Sequence, residues 1–167
     1  MSITKTTLDK DIFVLHNVLS EDECQELIAF SEKQGYHEAT VFTGTQHKMV
    51  KGIRNNLRVL SNDQALADKV WKRVNPFFKE KIHGFKSYGL NERFRYYKYE
   101  VGQRFNRHKD GAFERAIGDT SIYTFIIYLN EDFEGGTTDF DTISVKPEIG
   151  SALCFLHPIL HLSLIHI

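Results

Sequence analysis

The stretch Arg93 to Gly111 has a strand-like alternation and closes on a histidine and an aspartate two positions apart, His108 and Asp110. In an extended chain, residues two apart point to the same side. An imidazole nitrogen and a carboxylate oxygen are thereby offered to one ion. A second histidine from elsewhere would complete a face of three ligands with open positions opposite, the arrangement that suits a non-haem Fe(II) centre activating dioxygen. With 8 histidines in 167 residues, such a tripeptide arises readily by chance, so the surrounding chain has to carry the assignment.

The elements that must position this pair are legible in outline. Ile12 to Leu15 is an apolar run that reads as a strand, and Ser20-Glu21-Asp22-Glu23 is a capping box opening a helix. Cys24, Leu27 and Ile28 follow at helical spacing, and Gly35 is the expected stop. Residues 36–60 read as strands and a loop, with Gly44 and Gly52 punctuating a polar stretch. Leu66, Val70 and Val74 recur every four residues, so a second helix is predicted from about Asn62 or Asp63 up to Pro76. After Gly84 no long amphipathic helix is supported. In the strand from Arg93, Phe94 and Tyr96 fall on one face and Arg95, Tyr97 and Tyr99 on the other. Further strands are predicted at 121–129, 137–140, 142–146 and 151–156, separated by turn chemistry at 130–136 and 147–150. Short strands in succession imply a sandwich, jelly roll or barrel.

Bulk composition bounds the rest. The length fits one domain able to bury a core without disulfide or metal staples. Thirteen Phe and seven Tyr are many for this length and suit aromatic-rich strands. A formal charge of −1 gives no electrostatic case for nucleic acid or an anionic membrane as partner. Cys24 and Cys154 match no metal or redox spacing. With no signal-peptide core and no run of transmembrane length, the expectation is a soluble, cytoplasmic protein.

Taken in order, Tyr99-x-x-Gly102, His108-x-Asp110, Tyr128-Leu129-Asn130, Phe133-x-Gly135-Gly136-x-Thr138-x-Phe140, Pro147-x-x-Gly150 and Leu153-x-Phe155, followed by a histidine, resemble the prolyl 4-hydroxylase-like group of Fe(II)- and 2-oxoglutarate-dependent oxygenases. The resemblance covers the C-terminal half closely and the N-terminal half loosely. It implies an α+β, mainly β fold: a double-stranded β-helix, or jelly roll, with helical support over 1–84 and a core over 85–161. His108 and Asp110 match the first two iron ligands, and the family pattern selects His161 over His157 as the third, leaving His157 as a neighbour. Tyr99 and Tyr128 match positions whose hydroxyls help hold 2-oxoglutarate. The implied reaction hydroxylates a peptide or small-molecule substrate, at a prolyl or other aliphatic C–H, using dioxygen and releasing succinate and CO2. Ascorbate as a reductant follows from the resemblance only. Arg54, Asn55 and Arg58 are candidates for lining the substrate mouth, with a solvated loop as the bland alternative.

The family pattern continues past its third histidine with a glycine and a Lys or Arg that pairs with the distal carboxylate of 2-oxoglutarate. Here His161 is followed by Leu-Ser-Leu-Ile-His-Ile, and no Lys or Arg lies after Lys146. The expectation is therefore a chain truncated before its closing strands, with 162–167 a doubtful tail and His166 no ligand. Two other readings stand beside the oxygenase: a non-catalytic jelly-roll module that binds metal or senses, and a metal-independent structural β domain. Asp110→Ala separates them, because only a metal-dependent protein should lose an ion.

Overall fold

The capping box does what its residue types dictate. Ser20 Oγ accepts the Glu23 N–H at 3.2 Å and Glu23 Oε2 accepts the Ser20 N–H at 2.9 Å, which satisfies two donors that the first helical turn leaves open. The structure, a computed structural model, describes residues 2–39, 41–42, 47–48, 54–82, 84–115 and 118–164. Gly44, Gly52 and His166 lie outside the described residues.

In chain order the elements are β1 (Thr4–Asp9), β2 (Ile12–His16), α1 (Glu21–Gln34), β3 (His37–Glu38), β4 (Val41–Phe42), β5 (His47–Lys48), β6 (Leu57–Asn62), α2 (Gln64–Val74), a 3-10 turn (Asn75–Phe77), β7 (Lys81–Ile82), β8 (Phe85–Lys86), β9 (Arg93–Lys98), β10 (Arg104–His108), β11 (Tyr123–Ile127), β12 (Thr137–Asp139), β13 (Ser144–Val145), β14 (Ala152–Leu156) and β15 (His161–Leu164). Antiparallel strands form one sheet in the order β1-β2-β14-β11 and a second in the order β10-β15-β12-β13. A third, β3-β6-β9, is joined to the second where Arg54 bridges to Phe105. Among the described residues no helix is long and apolar enough to cross a membrane.

Strand parity decides which side chains meet. On β2, β11 and β14, Phe13, Leu15, Tyr123, Phe125, Ile127, Ala152 and Cys154 join Val70 and Val74 of α2 and Cys24 of α1 in one core. The alternate residues Ile12, Val14, Ile126, Leu153 and Phe155 join Phe140 and Val145 of the second sheet in another. The first sheet is thus covered on both faces, by helices on one side and by the second sheet on the other, as a jelly roll with supporting helices requires. Each large side chain so buried contributes about 1.5–3 kcal/mol. Both cysteines are buried and free.

The N-terminal segment does more than support. Its strands β1 and β2 complete the first sheet, so the order is not helices first and sheet afterwards. At the other end, β15 continues beyond His161 through Leu164 and lies between β10 and β12. Residues 162–164, set apart above as a doubtful tail, are part of the second sheet.

Two local features allow sharp predictions. Gly150, at φ +74°, brings its backbone against the start of α1: its carbonyl accepts the Val18 and Leu19 N–H groups, and an added Cβ would fall 2.2 Å from the Leu19 carbonyl oxygen. Gly150→Ala is expected to lower stability by roughly 2–5 kcal/mol, combining left-handed strain with a backbone clash, read by urea denaturation. Glu23 also takes two bonds of 2.7 Å from Arg73 and an ion pair of 2.7 Å from Lys69. The Arg73 hydrogen bonds hold its carboxyl far below the usual glutamate value of 4.5, against the opposing effect of burial. A depressed folded-state pKa gives stability that is present above the unfolded value and lost as pH falls toward the folded one. The stability difference between wild type and Glu23→Gln should therefore be full at neutral pH and shrink as pH falls below about 4.5, measured by thermal melts across that range.

Candidate metal centre

β10 and β15 are paired so that His108 lies directly opposite His161, and a register shift between Phe105 and His108 marks a bulge in β10. The bulge changes the parity of the strand, so Phe105 and His108, three apart, share a side and their rings stack at 3.5 Å. Asp110 follows two residues after His108 and its N–H is held by the His157 carbonyl at 3.1 Å. The carboxylate faces both rings, with Oδ1 3.4 Å from His108 Nε2 and Oδ2 3.6 Å from His161 Nε2. One ligand atom from each of the three lies within 4.8 Å of the others. The sequence singled out these three, and the fold brings them together.

The tautomers suit a metal. His108 Nδ1 is 2.8 Å from the Asn106 carbonyl and His161 Nδ1 is 3.0 Å from the Ile159 carbonyl. A carbonyl only accepts, so each Nδ1 carries the proton and each Nε2 presents a bare lone pair toward the shared space. Burial pushes the Asp110 carboxyl up, but the adjoining His108 ring, the Thr124 hydroxyl that donates to it and the nearby His161 ring outweigh burial and bring it down to about 2. Burial is also the main reason His161 titrates below its ordinary value. An ionised carboxylate and a neutral imidazole are the forms that bind a metal. Phe155 and Phe140 wall His161 at ring distances of 4.5 and 6.1 Å. The histidine is 5% exposed against 28% for the Asp110 side chain, so the site opens on the Asp110 side.

Beside these three runs a row of side chains across the second sheet. Arg54 bridges to Phe105, Phe105 is opposite Ser163, and Ser163 is opposite Thr138. Residues directly opposite share a face. Tyr128 reaches the row with its hydroxyl 2.9 Å from Thr138 Oγ1, and burial pushes that phenol up to about 12. Tyr99, just past β9, lies beside Ser163 and Arg54, with burial raising its pKa most and both neighbours opposing. The two tyrosines thus converge on one cross-strand pair.

Arg54 is 3% exposed. Its guanidinium lies over the Phe105 ring at 4.1 Å and the Tyr97 ring at 4.7 Å, and its Nε donates to Asn56 Oδ1 at 3.0 Å. Its Nη2 is buried without a hydrogen-bond partner among the described residues. A buried, unpaired guanidinium N–H one ring away from His108 suits a carboxylate oxygen. The N,N,O donor set and this orphan donor together fit a metal and an anionic cosubstrate. Asn55 is occupied otherwise, exchanging bonds of 2.7 and 3.2 Å with the Arg104 backbone, and Arg58 lies within β6 opposite Tyr97. Sequence reading quoted Thr138 as a motif position without giving it a role, and it missed Ser163, whose signal was parity, two residues from His161.

A family model described as the 2OG-Fe(II) oxygenase superfamily matches residues 94–165. An Acanthamoeba polyphaga mimivirus protein named for prolyl 4-hydroxylase activity is 29% identical over 154 residues, covering 86% of this chain and 59% of the relative. Prolyl 4-hydroxylase 1 of Arabidopsis thaliana is 26% identical over 170 aligned positions, covering 86% of this chain and 56% of the relative. The chain thus spans less than two thirds of the length of these relatives. Among solved structures, the viral collagen prolyl hydroxylase of Paramecium Bursaria Chlorella virus-1 in its 2OG complex has a TM-score of 0.67 at 22% identity, covering 93% of this chain and 88% of that one. A Pseudomonas putida prolyl-4-hydroxylase has a TM-score of 0.61 at 18% identity, covering 99% and 85%. At these identities the structural likeness shows the fold.

Proposed function

We propose that this chain, similar to the 2OG-Fe(II) oxygenase superfamily over residues 94–165 and to prolyl 4-hydroxylases along most of its length, binds Fe(II) and 2-oxoglutarate and hydroxylates a prolyl or other aliphatic C–H of a peptide or small molecule. The observation that carries this reading is the convergence of His108, Asp110 and His161, with both Nε2 atoms bare and a carboxylate between them. Those three residues would hold the iron. Tyr99, Tyr128, Thr138, Ser163 and Arg54 would receive 2-oxoglutarate, a dicarboxylate that needs several donors in a half-buried pocket. When bound, the metal and cosubstrate supply the oxidising chemistry, with dioxygen consumed, succinate and CO2 released and a hydroxyl left on the substrate.

The chain's own residues bind, orient and shield. The Asn106 and Ile159 carbonyls fix the planes of the two imidazoles, so little reorganisation is needed when an ion arrives. Phe155 and Phe140 keep water from His161, and Phe105 covers His108. Asp110, the most exposed of the three, lies toward the opening through which substrate would enter. Ascorbate, as the reductant that keeps iron ferrous, belongs to the same proposal.

The test is product formation. Incubation with Fe(II), 2-oxoglutarate, ascorbate, air and a proline-rich peptide should yield succinate and a peptide heavier by one oxygen atom. Succinate released without any oxidised peptide would keep the oxygenase reading and move the substrate away from peptidyl proline. Neither product would contradict the activity.

A further inference from the structure

His157, read from the sequence as a neighbour of the ligands, is tied to Asp110 through both its backbone and its ring. Its carbonyl accepts the Asp110 N–H at 3.1 Å while its own N–H donates to the Ile122 carbonyl at 3.1 Å. Its ring sits between two hydroxyls, with Nδ1 2.9 Å from Thr124 Oγ1 and Nε2 2.8 Å from Ser121 Oγ. Thr124 Oγ1 is also 2.6 Å from Asp110 Oδ2.

The directions of these bonds follow from the inventory of protons. A carboxylate only accepts, so the single Thr124 hydroxyl proton goes to Asp110 Oδ2. Thr124 Oγ1 can then only accept from His157, which puts the ring proton on Nδ1. In the neutral ring Nε2 is bare and accepts the Ser121 hydroxyl proton. Ser121 Oγ in turn accepts the Phe113 N–H at 2.8 Å. Ser121 N–H also bonds back to the Phe113 carbonyl at 2.9 Å, and Glu114 bridges to Thr120, so the chain of bonds starts in a stapled loop. The Phe113 N–H, the Ser121 hydroxyl, the His157 ring N–H and the Thr124 hydroxyl thus donate in one direction, toward Asp110.

We propose that Ser121, His157 and Thr124 are positioning residues for the carboxylate ligand, holding Asp110 Oδ2 so that Oδ1 is left to the metal. This rests on the reading of Asp110 as a ligand. A donor at 2.6 Å on one carboxylate oxygen fixes rotation about the last side-chain bond, and His157 keeps the threonine hydroxyl from turning away. Strand parity puts Thr124 in place: on β11 it lies on the same side as Ile126 and Tyr128, facing the second sheet. Outer partners that orient metal ligands in this way typically account for 10–100-fold in metal affinity.

The experiment is a Co(II) titration followed by its visible spectrum, with a thermal melt of each variant. Thr124→Val keeps the shape and removes the hydroxyl; it should weaken Co(II) binding roughly 10–100-fold, while Thr124→Ser should stay within about threefold of wild type. His157→Leu should weaken binding and His157→Asn, whose amide can stand in for Nδ1–H, should restore most of it. Because His157 acts through the hydroxyl, Thr124→Val with His157→Leu should bind no worse than Thr124→Val alone, a non-additivity that mere packing would not produce. If folded Thr124→Val binds Co(II) like wild type while Asp110→Ala does not, the positioning role is overturned and the ligand reading survives. If wild type itself takes up no Co(II), the ligand reading has failed first.

Discussion

Asp110→Ala is expected to abolish metal retention and turnover together while leaving a folded protein. Asp110 is the sole anion of the three-ligand face, and its two oxygens contact both imidazoles and the Thr124 hydroxyl. Removing it leaves two neutral nitrogens for a dication, and the loss in affinity should exceed the 10–100-fold that outer partners carry. The fold should tolerate the change because Asp110 lies beyond the end of β10 and contributes to neither apolar core. Metal content after dialysis and circular dichroism read the two halves of this expectation. A protein that keeps its iron without Asp110 would point to ligands elsewhere.

The second large effect concerns Arg54. If its unpaired Nη2 receives a carboxylate of 2-oxoglutarate, Arg54→Met removes a charge-assisted bond of about 1.5–3 kcal/mol. The apparent affinity for 2-oxoglutarate should then weaken roughly 10- to 100-fold, with metal affinity little changed. Stability is expected to move little, since the bond from Nε to Asn56 is lost but an orphaned buried donor is removed. Methionine also fits between the Tyr97 and Phe105 rings that flank the guanidinium. Equal 2-oxoglutarate affinities for wild type and variant in calorimetric titrations would remove Arg54 from the cosubstrate pocket.

These two residues differ in how far the sequence reveals them. Asp110 is legible because the period of a strand is local, and two residues suffice to see it. The α1 cap, the Gly35 stop and the helical face of Leu66, Val70 and Val74 were legible for the same reason. So was the split of β9, where Tyr96 packs on Phe30 of α1 and Tyr97 on Arg54. Arg54 was legible only as a candidate for lining the substrate mouth; its burial was not, because a polar run reads as solvated loop and that burial follows from a bridge to Phe105, about fifty positions away. The strand at Thr4–Asp9 was missed because all its residues are exposed and carry no apolar alternation; pairing with β2 makes it a strand. Ser121, Thr124 and His157 carried no joint signal. Their bonds depend on the β11–β14 register, which sets Thr124 opposite Phe155 and brings the end of β14 to Asp110. The bulge in β10 that turns Phe105 and His108 to the same side is likewise a property of pairing with β15.

The most direct test of the central claim is an anaerobic titration of the protein with Fe(II) and then 2-oxoglutarate, followed by visible absorption. The account predicts a metal-to-cosubstrate charge-transfer band that appears only when both are present, saturates at one equivalent of iron, and is missing from Asp110→Ala. A folded wild-type chain that gives no band, or the same band with and without Asp110, would contradict it.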